Sequence, residues 1–529
     1  IMKLTELLSD SYNAEEWRNK GYELPQFDIR AVRKNTFENP TWVHFGGGNI
    51  FRAFPAAILN DALNTGKYDR GVIVAETFDY EVIDKAYTPY GNLSLLVSLQ
   101  SSGTIEKKVI ASVTEALKAD PQFADWKRLT DIFCKPSLQM ISFTITEKGY
   151  SYNEDDLARG MTPVFALGKV TALLYERYKA GRLPLTVQSM DNCSHNGNKV
   201  QAGVFAYAER WAKDGLVPQE FVDYLKDESK ITFPWSMIDK ITPRPHEKVK
   251  ALLAADGFED NDYIETTRHT FTAPFVNAEE TQYLVVEDHY TNGRPPLDLG
   301  GVLYTTRETV DKVETMKVTT CLNPLHTAMA IFGCLLGYEL ISAEIADADI
   351  RALVQKIGYI EAMPVVVDPG VLNPYEFIGA FINKRLPNPF MPDTPQRIAS
   401  DTSQKLSIRF GETIKKYIAH GLDKCNLILI PLTLAGYARY LKGIDDVGKP
   451  FTPSPDPLLD ELQSIVAPLE IGSKKQDFSC LKEFYSRKDI FGLDLYEAGL
   501  GEQIEAFVKE LYAGKGSVRS VLHRYTTTR

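Results

Sequence analysis

Short, fully apolar runs alternate with helical periodicity through the first half of the chain. Trp42–Phe45 reads as a buried strand and stops at Gly46-Gly47-Gly48. Behind it Phe51, Phe54, Ile58 and Ala62 recur at helical spacing, and Gly66 ends the stripe. Residues 72–75 form a second apolar run, closed by Glu76. Strand-like runs follow at 93–99, 138–146 and 185–189, with a helical pattern over 165–180. Strands alternating with helices predict an α/β half built on a parallel sheet with helices on its faces.

From about residue 324 the pattern changes. Helical periodicity dominates at 324–339, 341–357, 402–419, 427–442, 456–467 and 502–513, and few strand signals remain. The expected division is an α/β domain over 1–310 and a mainly helical domain over 311–529. Residues 1–40 are polar and irregular and read as an extension, while 231–300 are mixed and rich in Pro, Thr and aromatics.

The 529 residues exceed one compact core, in keeping with two domains or three small ones. A net charge of −11 speaks against a nucleic-acid partner. It leaves room for an anionic substrate in a local cationic pocket. No apolar run approaches the roughly 20 residues of a membrane span, and the first residues lack a secretory h-region. Six cysteines, none in C-x-x-C spacing, suggest neither zinc nor a redox dithiol. A cytoplasmic protein with reduced thiols, no membrane partner and no metal is expected.

Six segments carry candidate chemistry. In Gly46-Gly47-Gly48-Asn49-Ile50-Phe51-Arg52, Gly46 permits a tight turn and Gly48 a close approach to a pyrophosphate. Phe51 takes the place of a third glycine, so a plain glycine-rich turn is the alternative. Glu76 can accept hydrogen bonds from a ribose diol and would repel a 2′-phosphate, favouring NAD over NADP. Its alternative is a solvated strand-end acid. Glu147, in Thr146-Glu147-Lys148-Gly149-Tyr150, follows a strand and can line a nicotinamide pocket or belong to a charged turn.

Asn192, after the run at 185–189, can donate to a carbonyl oxygen gaining charge. Asn196-Gly197 is a turn signal. Asp239 stands in an apolar stretch between prolines and needs partners, structural or functional. Over 317–326, Lys317, Asn323 and His326 gather at what reads as a strand-to-helix turn, with Asn323 as N-cap and Pro324 as first helical residue. Lys317 can act as a base only with a lowered pKa, Asn323 can share the oxyanion role, and His326 can touch a hydroxyl. A surface lysine, a cap and a core histidine are the plain alternatives. Arg397 and Lys405 can bind a carboxylate or polyol hydroxyls, or mark a solvated helix start.

In this order the segments resemble the motifs of the polyol-specific long-chain dehydrogenase/reductase family, over residues 40–515. The resemblance implies a Rossmann-type NAD-binding domain followed by a helical substrate domain. It implies a metal-independent, NAD-linked interconversion of a sugar alcohol or aldonate with its keto form. On this chain Lys317 becomes the general acid/base, and Asn192 with Asn323 the oxyanion hole. Asp239, His326, Arg397 and Lys405 become substrate ligands. Gly46, Gly48, Asn49, Ile50, Arg52, Glu76 and Glu147 fall to the cofactor. Lys317 precedes Asn323 by six positions where the family interval is five. Either a local bulge absorbs the difference or Lys317 is not the equivalent base. The expected substrate is a small sugar acid or polyol, first D-fructuronate reduced to D-mannonate. Mannitol or arabinitol oxidation and tagaturonate reduction are the rivals, and a non-catalytic nucleotide-binding regulator is the rival of another class. A monomer is expected over an oligomer.

Overall fold

Six parallel strands organise the first part of the chain: β1 (Trp42–Phe45), β2 (Val72–Glu76), β3 (Val113–Lys118), β4 (Met140–Phe143), β5 (Leu185–Ser189) and β6 (Ile231–Thr232). Their spatial order is 3-2-1-4-5-6, with Val43 facing Ile73 on one side and Ile141 on the other. That order reverses direction at β1, the point where doubly wound sheets bind ligands beyond the strand ends. The structure is a computed structural model and describes residues 1–528. It divides into two compact units, residues 1–100 with 104–311, and 101–103 with 312–529.

Both faces of the sheet are covered, which is why β1, β2 and β4 are mostly apolar without alternation. Val43, Phe45, Ile73 and Ala75 lie in one buried cluster, and Trp42, Val72, Val74 and Met140 in another. The stripe behind the glycines folds as two helices, α1 (Asn49–Ala53) and α2 (Pro55–Asn64). Pro55 has no N–H and its ring excludes a continuous helix, so the chain breaks at Phe54. Gly66 ends α2 in the left-handed region, φ +74°. Helix α3 (Ala166–Lys179) carries the buried Arg177. Its guanidinium donates to the carbonyls of Phe133, Lys135, Leu138 and Pro184 at 2.7–3.0 Å, fixing the chain that enters β4 and β5.

Three expectations are corrected. The run at 93–99 is a strand (Ser94–Leu99), but it lies in a separate four-stranded sheet with Tyr22–Glu23, Ile105–Ile110 and Phe275–Glu279. The 138–146 run is shorter than it reads, because Thr146 turns away with φ +62°. Residues 1–40 are structured: Met2, Leu4, Trp17 and Tyr22 are buried, and Ile29–Glu38 is a helix. Their apolar residues are spread over several short elements, so no single period shows.

In the second unit the described residues hold no strand beyond the isolated bridge from Ile444 to Pro450. The chain enters by α5 (Arg307–Met316) and runs through a π-helical turn over Lys317–Cys321 into α6 (Asn323–Leu335). An apolar window within 307–335 is long enough to cross a membrane, but 83% of it is buried inside the protein, as in a core helix. Every residue of α7 (Leu429–Tyr440) is buried. Its N-terminus is capped by the Glu361 carboxylate, which accepts from the amides of Ile428, Leu429 and Ile430 at 2.8–3.1 Å.

Candidate active site

The three glycines after β1 do three different jobs. Gly46 has φ +108°, and a Cβ there would sit 2.1 Å from the Thr144 carbonyl oxygen. Only glycine lets β1 turn this close to the end of β4. Gly47 donates its N–H to Glu76 Oε1 at 2.5 Å and accepts from the Tyr87 hydroxyl at 2.9 Å. A Cβ on Gly48 would meet nothing within 4 Å, so the space beside the start of α1 is open. Glu76 ends β2 at 9% exposure. Burial pushes its pKa up to about 7, with the charge of Asp79 adding to the rise and main-chain amides pulling it back. An open glycine turn beside a strand-end carboxylate fits the phosphate and ribose of a dinucleotide.

Asn49 and Arg52 are turned elsewhere. Arg52 is buried and donates to the Ala273 carbonyl at 2.9 Å, to Asn49 Oδ1 at 3.2 Å and to Thr272 Oγ1. Together they hold α1 against residues 272–273, while the half-buried Ile50 packs on the core. Glu147 is 69% exposed and pairs with Lys199.

Beyond β4 and β5 two loops are tied by one carboxylate. Asp191 accepts from the amides of Ile145 and Thr146 at 2.9 and 3.1 Å and from the Tyr150 hydroxyl at 2.5 Å. Asn196, read as a turn residue, is instead the buried first residue of α4 (Asn196–Lys213). Its amide reaches the carbonyls of Ser189 and Asp191 and the Ser236 hydroxyl at 2.8–3.3 Å. His195 adopts φ +50°, stacks on Trp235 at 3.9 Å and bonds Asp311 through Nε2 at 2.8 Å. Asn192 is thus the free crest of a loop pinned on both sides. It is exposed, and among the described residues its amide has no partner. Asp239 is buried at the end of the strand Ser236–Asp239, opposite Tyr283.

The 317–326 segment is a helix-to-helix passage, which corrects the expected strand-to-helix turn. Val318, Thr319 and Thr320 are β-branched and read as strand, yet Thr319 Oγ1 bonds the Thr315 carbonyl at 2.7 Å as a helical residue does. The Leu322 amide bonds the Lys317 carbonyl at 3.1 Å, five residues back. Such a π turn holds one residue more than an α turn, which gives the six-residue interval a place. Leu322 is the N-cap, and Asn323 is the first helical residue with no capping bond, a second correction. Its amide has no partner among the described residues. Lys317 is 8% exposed.

His326 is half-buried and edge-on to Phe381 at 5.3 Å. Burial lowers its pKa to about 4, with Asp393 opposing and Arg385, Arg409 and Arg397 reinforcing the drop, so the ring is neutral. Arg397 is 74% exposed and forked onto Asp393, with both bonds at 2.6 Å. Lys405 bonds the carbonyls of Ile398 and Ser400. Arg409, which the motifs did not single out, donates to Thr327 Oγ1 at 2.6 Å, next in sequence to His326. Its one sequence signal is a position four residues after Lys405.

A 3-2-1-4-5-6 parallel sheet with a glycine turn after its first strand and an acid ending its second defines a dinucleotide-binding dehydrogenase domain. The Mannitol dehydrogenase Rossmann domain matches residues 40–299, and the Mannitol dehydrogenase C-terminal domain matches residues 309–512. A D-mannonate oxidoreductase of Thermotoga maritima is 52% identical over 520 residues, covering 96% of each chain. A substrate-free D-sorbitol dehydrogenase structure is 26% identical with TM-score 0.78, covering 95% of this chain and 97% of that one. The Pseudomonas fluorescens mannitol 2-dehydrogenase, in ternary complex with NAD and D-mannitol, shares the fold at TM-score 0.66 and 24% identity, with 98% and 99% covered. The chain belongs to the mannitol dehydrogenase family.

Proposed function

We propose that this protein is an NAD(H)-dependent oxidoreductase that interconverts a keto hexuronate and its hexonate, D-fructuronate and D-mannonate. The observation that carries the reading is the 52% identity to a D-mannonate oxidoreductase over 96% of both chains. Gly46, Gly48 and Glu76 hold the dinucleotide, Asn49, Ile50 and Arg52 shape the helix start beside it, and Glu147 lies toward the nicotinamide. Bound NADH supplies a hydride to the ketone carbon.

The chain's own residues manage the oxygen. Asn192 and Asn323 donate amide N–H groups to it as it becomes an alkoxide. Neither amide has another partner among the described residues, which supports a ligand role. Lys317 gives that oxygen its proton and takes it back in the oxidative direction. Asp239, His326, Arg397 and Lys405 hold hydroxyls and carboxylate, with His326 neutral and free to accept or donate. The protein acts as a cytoplasmic monomer on a small molecule.

An NADH-oxidation screen with D-fructuronate, D-tagaturonate, D-fructose and D-xylulose tests this. The highest kcat/KM is expected with D-fructuronate. A clear preference for D-tagaturonate or for an uncharged ketose overturns the assignment. Tight NADH binding with no turnover of any of the four supports the non-catalytic alternative instead.

A further inference from the structure

Lys405 and Arg409 are two half-buried cations side by side with no acid in ion-pair contact with either. They stand one turn apart, with the Arg409 amide bonded to the Lys405 carbonyl at 3.1 Å. The Lys405 ammonium reaches two main-chain carbonyls, those of Ile398 and Ser400. Arg409 spends one N–H on Thr327 Oγ1, and among the described residues its Nε and Nη2 donate to nothing. No carboxylate among the described residues lies within ion-pair distance of either. Arg397 and Arg519, by contrast, are forked onto Asp393 and onto Asp347 with Asp349.

Two like charges one turn apart, half withdrawn from water, cost free energy unless an anion completes them. Burial lowers the pKa of both, Arg409 to about 10, and at Lys405 the charges of Arg409 and Arg397 add to the drop while the more distant Asp401 and Asp456 oppose it. The neighbouring imidazole of His326 is neutral and adds no anion. The guanidinium is held on one side by Thr327, so its remaining N–H groups form a fixed fork of the shape that matches a carboxylate.

We propose that Arg409, with Lys405, is the anchor for the substrate's carboxylate and the residue that makes the enzyme prefer a keto hexuronate to an uncharged ketose. This rests on the functional reading above and adds a residue and a chemical basis to it. Thr327 aims the fork, and Lys405 supplies the second charge.

Arg409→Met and Arg409→Lys are assayed with D-fructuronate and D-fructose at saturating NADH. D-Mannonate and D-mannitol are also titrated calorimetrically into the NADH-loaded protein. Arg409→Met is expected to lose about 100-fold in kcat/KM on D-fructuronate, the size of a charge-assisted bidentate contact. The loss on D-fructose should be at least about tenfold smaller, since that substrate makes no such contact. D-Mannonate affinity should fall while D-mannitol affinity holds, and Arg409→Lys should recover only part. Equal losses on both substrates, or no loss, in a protein that melts like wild type overturns the proposal. If Arg409→Met fails to fold, Arg409→Lys carries the same comparison. If wild type reduces neither ketone, the functional reading falls. The anchor then stands only if Arg409→Met still weakens D-mannonate binding, and it falls if binding is unchanged or absent.

Discussion

The Gly47 amide donates to Glu76 Oε1 at 2.5 Å, which fastens the glycine turn after β1 to the acid that ends β2. The acid therefore shapes the turn that leads to the open start of α1. Burial holds its pKa at about 7, so the carboxylate is partly protonated at neutral pH. A ribose diol donates better to the ionised form, and binding that favours this form strengthens as pH rises through 7. NADH is expected to bind several-fold tighter at pH 8 than at pH 6. Glu76→Gln should flatten that dependence and improve NADPH relative to NADH. Fluorescence titrations across this range decide it, and a flat wild-type curve counts against the ribose role.

Asp191 should matter as much as the asparagine beside it. Its carboxylate accepts two amides from the loop after β4 and the Tyr150 hydroxyl, holding the loop that carries Asn192. Asn at this position keeps one acceptor and points an N–H at a donor. Leaving a buried donor unmatched costs about 1–3 kcal/mol. Asp191→Asn is expected to lower kcat by about 10- to 100-fold, the rate equivalent of that cost. NADH affinity should change little. Stopped-flow turnover beside NADH titration separates the two, and full activity would show that the tie does not set Asn192.

How much of this was legible in sequence depended on where burial is two-sided. β1, β2 and β4 are covered on both faces and read as mostly apolar runs. β3, at the sheet edge, reads Val-Thr-Glu-Ala-Leu-Lys and shows no run, because only part of it is buried. The strands within 231–305 are two to five residues long and pair across the chain, so no local period announces them. The 317–321 turn misled because β-branched residues favour strands, and here tertiary burial overrides that preference. Motif residues such as Gly46 and Glu76 were visible because their type is demanded at a fixed place in a strand–turn–helix unit. Arg409 was not, because its meaning lies in the acid that is missing around it, which only the folded chain reveals.

The π turn makes the placement of Lys317 testable apart from its chemistry. Lys317→Ala is expected to lower kcat by about 1,000-fold, within the range of a lost acid/base group. NADH affinity and melting temperature should stay near wild type. Deleting Val318 restores a five-residue interval and converts the π turn to an α turn. The π turn and the α turn each close once around the axis, so Lys317 keeps its direction relative to Asn323. The deletion should therefore keep most of the activity that Lys317→Ala loses, with helical content unchanged by circular dichroism. A folded deletion variant as inactive as Lys317→Ala would mean that the extra residue itself sets the lysine's position.

Acid should weaken the first unit at a defined residue. His44 is fully buried, with Nδ1 2.6 Å from Ser142 Oγ and Nε2 2.7 Å from Thr144 Oγ1, and its ring is stacked on Phe51 at 4.4 Å. Burial lowers its pKa from 6.5 to about 3. Between these values the unfolded chain binds a proton that the folded one refuses, so the stabilising contribution is complete above 6.5 and is lost as pH falls toward 3. Each pH unit inside that window costs about 1.4 kcal/mol for one such proton. Urea unfolding at pH 7, 6, 5 and 4 should show the decline. His44→Gln can still meet both hydroxyls but does not titrate, so its decline should be shallower by one proton. An unchanged slope in His44→Gln would place the acid sensitivity at other residues.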